Sequence, residues 1–164
     1  NKSKLAQKDI DADWTKKNGE RHFGYKDHVK CDADSKLITN YSVTSASVHD
    51  SQRCLVFIGQ EDEVLYADSA YSGKPIALAL PENCKNQICE KGYRNSPLTS
   101  EQKMNNRRKS RIRCRIEQIF GFMTGAMHGI TIRSIGITRA WMNIGITNLV
   151  YNFCRYSYLK GASA

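Results

Sequence analysis

The sequence predicts one mixed α/β domain, and three features of the chain lead to that prediction. Two stretches of alternating apolar and polar residues flank a short polar turn, a pattern typical of a β-hairpin. A short apolar run bounded by polar residues follows and indicates a buried strand. The second half of the chain carries apolar residues at helical spacing. With 164 residues, 40% of them hydrophobic, the chain is long enough to bury a core without cross-links.

The first part of the chain predicts an arm and then a hairpin. Residues 1–20 are polar and predict an N-terminal arm, whereas residues 21–160 predict the folded domain. Apolar and polar residues alternate from Phe23 to Cys31 and again from Leu37 to Thr44, as expected of two half-buried strands. Asp27 is the exception, because it is an acid on the apolar face of its strand.

The middle of the chain predicts a short helix and a buried strand that ends in an acid. Asp50 or Ser51 is a suitable N-cap for a helix over residues 50–60. The apolar run Val64–Ala67 predicts a central strand, and Asp68 follows it directly. Open α/β sheets place ligands at the carboxyl ends of such strands. An acid there is more often an ordinary cap or turn residue, so both interpretations stay open.

A basic helix is the most distinctive segment of the sequence. A capping-box pattern at Thr99 opens it, and seven basic residues but one acid lie between Glu101 and Arg115. An apolar stripe at helical spacing follows, formed by Ile112, Ile116, Ile119, Phe120 and Met123. Glu117 lies beside that stripe, and a glutamate among arginines is usually an intrahelical ion-pair partner of a residue such as Arg113.

The chain closes with a predicted helix over residues 138–158. Its apolar residues share one face, which we expect to be buried. They are Ile146, Leu149, Val150 and Phe153.

Composition narrows the possible partners. The chain has 25 Lys and Arg against 16 Asp and Glu, for a net charge of +9, which favours a polyanion such as nucleic acid. The chain has no apolar run of about 18 residues, which excludes a membrane span, and no apolar signal core at its start. The six cysteines lack the spacing of a zinc site, so we expect free thiols and a cytoplasmic protein.

Four blocks of the chain, in this order, resemble the DDE transposases of bacterial insertion sequences. Together they span about residues 11–158, and their combined order is far more specific than any one of them. The blocks are Trp14–Lys17 with Phe23–His28, Val43–Thr44 with Val48–Ser51, Ala67–Tyr71, and Asn106–Gly121.

The resemblance implies a ribonuclease-H-like mixed sheet flanked by helices and a two-ion Mg²⁺ site held by three acids, in which Mn²⁺ can substitute. Asp68 matches the second acid and Glu117 the third, which makes both predicted catalytic and metal-binding residues. Arg113 matches an arginine of the family motif. Ser110 stands where the family has tyrosine, and Thr124 stands where it has lysine.

The resemblance also implies DNA as the partner, both the ends of the element and the target, and a homo-oligomer on that DNA. A protein of this kind is expected to be nucleoid-associated. The basic helix supplies the predicted DNA-binding residues, Arg107, Arg108, Lys109, Arg111, Arg113 and Arg115. Asp50 and Ser110 are predicted auxiliary residues.

The front of the family pattern is the main departure. In these transposases the first strand and its Asp precede the block that begins here at Trp14, and the sequence carries neither. We therefore expect a C-terminal fragment whose metal site is incomplete and whose strand transfer is impaired. Two alternatives stay open. One is a non-enzymatic DNA-binding remnant that acts as a regulator or inhibitor, and the other is an RNA-binding protein whose blocks are coincidental.

Overall fold

The computed structural model describes residues 7–17, 19–129 and 131–161. The fold is mixed α/β, which confirms the predicted class. The strands are β1 (Asp13–Lys17), β2 (Glu20–Cys31), β3 (Ile38–Ser45), β4 (Val64–Leu65) and β5 (Lys85–Asn86). The helices are α1 (Ser51–Phe57), α2 (Lys74–Ala79), α3 (Ser100–Arg113), α4 (Arg115–Gly125) and α5 (Ile137–Gly161), with a 3₁₀ turn at Ser69–Tyr71.

These elements form two compact units. The sheet unit takes in the described parts of residues 1–50 and 119–164, and the ladder unit takes in residues 51–118. No helix among the described residues has the length and apolar character that a membrane crossing requires. The six cysteines form no disulfide in the described chain. One catalytic domain over residues 21–160 stays a prediction.

The sheet unit contains an antiparallel sheet in the order β1-β2-β3. Pairing of β2 with β3 confirms the predicted hairpin, with Tyr25 opposite Ser45. The predicted arm over residues 1–20 is wrong where β1 lies, because this segment pairs with β2. Trp14 packs on Phe23 with ring centroids 5.2 Å apart, and such an aromatic cross-strand pair stabilises the strand. Residues 1–6 and Asn18 of that arm lie outside the described residues.

Helix α5 packs on β3 and β2 and is fastened to the start of β3. The Asn152 side chain donates to the carbonyl oxygen of Ile38 and accepts from its N–H, both at 2.8 Å. The predicted helix is confirmed, but its predicted buried face is wrong. Ile146 is 59% exposed and Phe153 62% exposed. The buried face instead carries Ala140, Ile144, Asn148 and Tyr151.

The ladder unit is built on two short parallel strands, β4 and β5. Their pairing continues past both strands, since Gln87 N–H donates to the Leu65 carbonyl at 2.9 Å and Cys89 N–H to the Ala67 carbonyl at 3.0 Å. We call residues 64–68 the β4 segment and residues 85–90 the β5 segment. The pairing thus reaches the end of the predicted strand Val64–Ala67, but the regular strand covers only Val64–Leu65 and is less buried than expected, with Val64 37% exposed. The core of the ladder unit is the small cluster of Cys54, Ile76 and Ile88.

The basic segment forms two helices instead of the single helix that the sequence predicts. The capping box is confirmed, because Gln102 N–H donates to Thr99 Oγ1 at 3.2 Å and Thr99 N–H donates to Gln102 Oε1 at 2.9 Å. Helix α3 ends at Cys114, whose backbone N–H is shared between the carbonyls two and four residues earlier. The apolar stripe is confirmed over its second half, where Ile119 and Met123 are fully buried.

Candidate functional site

Asp68 lies at the end of the strand pairing in the ladder unit, where the β4 segment leaves its neighbour. Its carboxylate oxygen Oδ1 accepts a hydrogen bond from Ala70 N–H at 2.7 Å and caps the 3₁₀ turn. The structure thus shows the cap interpretation that the sequence left open. The capping hydrogen bond orients the Asp68 carboxylate, and its second oxygen remains as a ligand for a cation.

Glu117 lies in the first turn of α4, where the helix dipole favours an acid. Its Oε1 pairs with Arg113 Nη2 at 2.9 Å, four residues earlier, and its side chain is 61% exposed. The ion-pair interpretation is also what the structure shows. To bind a cation, Glu117 must either give up its ion pair with Arg113 or bind the cation through its other carboxylate oxygen, Oε2.

Helix α3 is tied to the segment that pairs with the Asp68 strand. Asn106 forms two hydrogen bonds with the backbone of Glu90, at 2.8 and 2.9 Å. Lys109 donates to the Ile88 carbonyl at 2.9 Å, and its Nζ lies 3.7 Å from the Glu90 carboxylate. The strand that leads to Asp68, the β5 segment and α3 therefore lie side by side, in that order.

An open cavity lies where these three segments meet. Its volume is about 400 Å³, and one side is formed by Tyr66 and Gln87. The other side is formed by α3 side chains, Asn105, Arg108, Lys109 and Ile112. Tyr66 precedes Asp68 by two residues, so the cavity lies along the strand that carries the predicted acid. Its planar ring, amides and cations are groups that contact nucleic acid.

The six predicted DNA-binding residues fall into two groups. Arg107, Arg108 and Arg111 are exposed on α3. The other three are less accessible: the Lys109 side chain is 16% exposed and held by Glu90, and Arg113 is paired with Glu117. Arg115 is partly buried. The exposed arginines are therefore better placed for phosphate than the other members of the set.

The two predicted auxiliary residues lie in different units. In the ladder unit, Ser110 Oγ is 3.7 Å from Cys89 Sγ, inside the contact between α3 and the β5 segment. In the sheet unit, Asp50 Oδ1 lies 3.4 Å from Lys26 Nζ and 3.6 Å from His28 Nδ1. The buried His28 also bonds Thr44 through Nε2 at 2.8 Å.

Sequence reasoning missed Lys26 and His28 as the residues that contact Asp50. The sequence did contain a signal for this contact, because Lys26 and His28 are two residues apart and therefore lie on the same face of β2. Nothing in the sequence showed that this face turns toward Asp50.

The donor chemistry of the predicted acids suits Mg²⁺, which takes oxygen ligands and is commonly held by one or two carboxylates together with substrate phosphates. Asp68 and Glu117 fit the ion on that ground. Across residues 7–17, 19–129 and 131–161, no group of three or more His, Cys, Asp or Glu side chains is placed to hold a metal ion.

Comparison with known proteins decides the family. The family model described as "Transposase DDE domain" matches residues 2–153. This chain belongs to the DDE transposase family. The predicted family is thereby confirmed, and the mixed α/β fold agrees with a ribonuclease-H-like transposase domain.

A relative supports the same assignment. The chain is 34% identical over 117 residues to the transposase for insertion sequence element IS1106 from Neisseria meningitidis serogroup B. That alignment covers 70% of this transposase domain and 40% of the relative, so the matched part spans less than half of the relative's length. No solved structure matches the chain.

Proposed function

We propose that this chain binds the ends of its element and target DNA, and that Asp68 and Glu117 hold Mg²⁺ for strand cleavage and transfer. The observation that supports the proposal is the cavity where the Asp68 strand, the β5 segment and α3 meet, which Arg108 lines together with Tyr66, two residues before Asp68. When bound, the metal ions activate the attacking water or 3′-hydroxyl and stabilise the leaving oxygen.

The residues of the chain perform the remaining tasks. Arg107, Arg108 and Arg111 neutralise phosphates and hold the DNA strand. Arg113 holds one Glu117 carboxylate oxygen through their ion pair. The backbone hydrogen bond from Ala70 fixes one Asp68 oxygen and orients the other.

We further propose that strand transfer by this chain alone is impaired, because two carboxylates supply fewer ligands than a two-ion site requires. Phosphates of bound DNA would then supply ligands to Mg²⁺ that the chain lacks. Metal binding should then be stronger in the presence of DNA than in its absence. We also propose that the chain assembles as a homo-oligomer on DNA.

The test measures Mn²⁺ binding by electron paramagnetic resonance, with the full chain in the presence of duplex DNA. Asp68→Asn and Glu117→Gln should each weaken Mn²⁺ binding, because each removes one charged oxygen ligand, while DNA affinity stays at least as high. Glu82→Gln is the matched control, since Glu82 is an exposed acid of the same unit. Equal Mn²⁺ binding by all four proteins would contradict the metal-site assignment.

One observation favours a second candidate function, a DNA-binding regulator without catalysis. The described residues contain no cluster of three metal ligands, whereas the exposed arginines remain. Such a chain would occupy element ends and compete with an intact transposase for them. Unchanged Mn²⁺ binding together with tight DNA binding would favour the regulator over the enzyme.

A further inference from the structure

A second open cavity lies in the sheet unit, beside the first turns of α5. Its volume is about 630 Å³. One wall is the loop before α5, with Thr131, Arg133 and Ser134, and the other is α5 itself, with Asn143 and Thr147. We name this cavity the α5 groove. No part of the predicted acid pair or of the basic helix contributes to it.

The α5 groove is lined by groups that contact phosphate. Besides Gly129, Ile132 and Ile146, three hydroxyls, a carboxamide and a guanidinium line it, and no carboxylate is found among its described lining residues. Proteins use these side chains for most hydrogen bonds to the phosphates and sugars of DNA. An anion in the groove would meet the Arg133 charge and no acid of the lining, so its desolvation would be offset by hydrogen bonds.

A hydrogen bond joins the two walls of the groove. Asn143 Nδ2 donates to Ser134 Oγ at 3.1 Å and links the two walls. Gly129 also lines the groove, with φ of 76°, a left-handed conformation that glycine adopts readily, and its N–H donates to the Met123 carbonyl at 2.8 Å. A preformed site loses little conformational entropy when it binds, which favours affinity.

We propose that the α5 groove binds a backbone phosphate of duplex DNA, with Arg133 as the charged contact and the Thr131, Ser134 and Asn143 side chains as hydrogen-bond partners. The inference rests on the proposed DNA binding and adds a contact on the sheet unit to the one on α3. The contact is sequence-independent, because the groove offers its groups to phosphate and sugar oxygens that every base pair shares.

The first test places a carboxylate in the groove. Thr131→Glu should weaken binding of a fluorescently labelled, mixed-sequence DNA duplex several-fold, because the new charge repels phosphate. Thr138→Glu is the matched control, since it makes the same change of charge at an exposed position in the first turn of α5, outside the groove lining. Equally weakened binding in the two variants would overturn the proposal, because it would reflect net charge alone.

The second test removes the cation. Arg133→Ala should reduce the slope of log affinity against log salt concentration by about one, as expected when a single phosphate is no longer neutralised. Arg139 is an exposed arginine outside the groove lining, so Arg139→Ala should reduce the slope less than Arg133→Ala does. Thermal melting checks that all variants fold. An unchanged slope in Arg133→Ala, or weaker binding seen only with an RNA duplex, would contradict a DNA contact here.

The two proposals fail separately. If Ala at Arg107, Arg108 and Arg111 weakens DNA binding but Arg133→Ala does not, the groove inference is wrong and the proposed function stands. If neither change weakens binding, both are wrong.

Discussion

Asp27 of the sheet unit carries a carboxyl group in an apolar position of β2. Its Oδ1 accepts a hydrogen bond from Asn148 Nδ2 of α5 at 3.3 Å. Its buried Oδ2 and the buried Asn148 Oδ1 have no hydrogen-bond partner among the described residues. A proton on Oδ2 would supply the donor that both oxygens lack. Burial acts in the same direction and raises the pKa of Asp27 to about 6, with the Asn148 hydrogen bond opposing it.

The raised pKa predicts a pH-dependent stability. Because the folded pKa is above the ordinary value of 3.8, the Asp27 contribution is fully present below about pH 3.8 and is lost as pH rises through about 6. The difference corresponds to about 3 kcal/mol at neutral pH. Asp27→Asn should therefore raise the melting temperature at pH 7.5 and change it little at pH 4, as thermal melting at both values would show.

The Asp27→Asn comparison has a built-in control, because every other acid of the chain titrates equally in both proteins. An equal change in melting temperature at both pH values would show that Asp27 does not titrate between them. The sequence identified Asp27 as the exception on its strand face. It could not show that α5 covers that face, because the contact joins residues 121 positions apart.

At the scale of elements, the sequence predicted helix α5 but assigned the wrong face to the core. The helix is apolar around most of its circumference, so spacing alone cannot select the face that packs. Hydrogen bonds make that choice, since Asn152 satisfies the Ile38 backbone and Tyr151 donates to the Lys36 carbonyl at 3.0 Å. These polar contacts orient the helix, and the more hydrophobic face stays exposed.

A glycine marks the closest approach of α5 to β3. A Cβ atom added at Gly145 would lie 2.8 Å from Tyr41 Cζ and would also overlap the Tyr41 hydroxyl. The Tyr41 ring in turn packs on Trp141 with centroids 5.5 Å apart, which limits its movement.

Gly145→Ala should therefore destabilise the fold by about 1–3 kcal/mol through overpacking, even though alanine is the better helix former. Gly121→Ala is the matched control in α4, where an added Cβ meets nothing within 4 Å. It should stabilise the protein by up to about 1 kcal/mol. Chemical denaturation measures both, and a stabilising Gly145→Ala would refute the close approach.

The break between α3 and α4 shows what local sequence cannot supply. No glycine or proline lies between Arg111 and Arg115, so nothing in the sequence marks a helix end there. The contact of α3 with the β5 segment is equally nonlocal, because it depends on Asn106 meeting the Glu90 backbone. The predicted capping box was confirmed because it depends on residues four positions apart or fewer.

At the scale of the whole chain, the order of four sequence blocks was enough to predict the family. The same blocks did not predict the geometry of the site. Four short blocks identified the transposase family, and the family match over residues 2–153 confirmed it. The pairing of Asp68 and Glu117 in a metal site stays a prediction, because each acid has a local partner of its own. The sequence shows which residues are acidic or basic, whereas contacts in the folded chain determine which of these side chains are accessible.

The excess of basic residues predicts a strong salt dependence of DNA binding. Both units contain more Lys and Arg than Asp and Glu, so repulsion within the chain is relieved when phosphate replaces small counterions. Replacing Arg107, Arg108 and Arg111 together with Ala should weaken binding and reduce the slope of log affinity against log salt by about one for each phosphate that the variant no longer neutralises. Fluorescence anisotropy over a salt series measures that slope.

A control of equal charge separates direct binding from net charge. Replacing Lys74, Lys91 and Arg94, three exposed cations of the ladder unit outside α3, removes the same number of charges. If α3 lies against the DNA, this control should weaken binding less and keep the original slope, because counterion release reflects the phosphates that are neutralised rather than total charge. Identical slopes in the two triple variants would place the DNA elsewhere on the molecule.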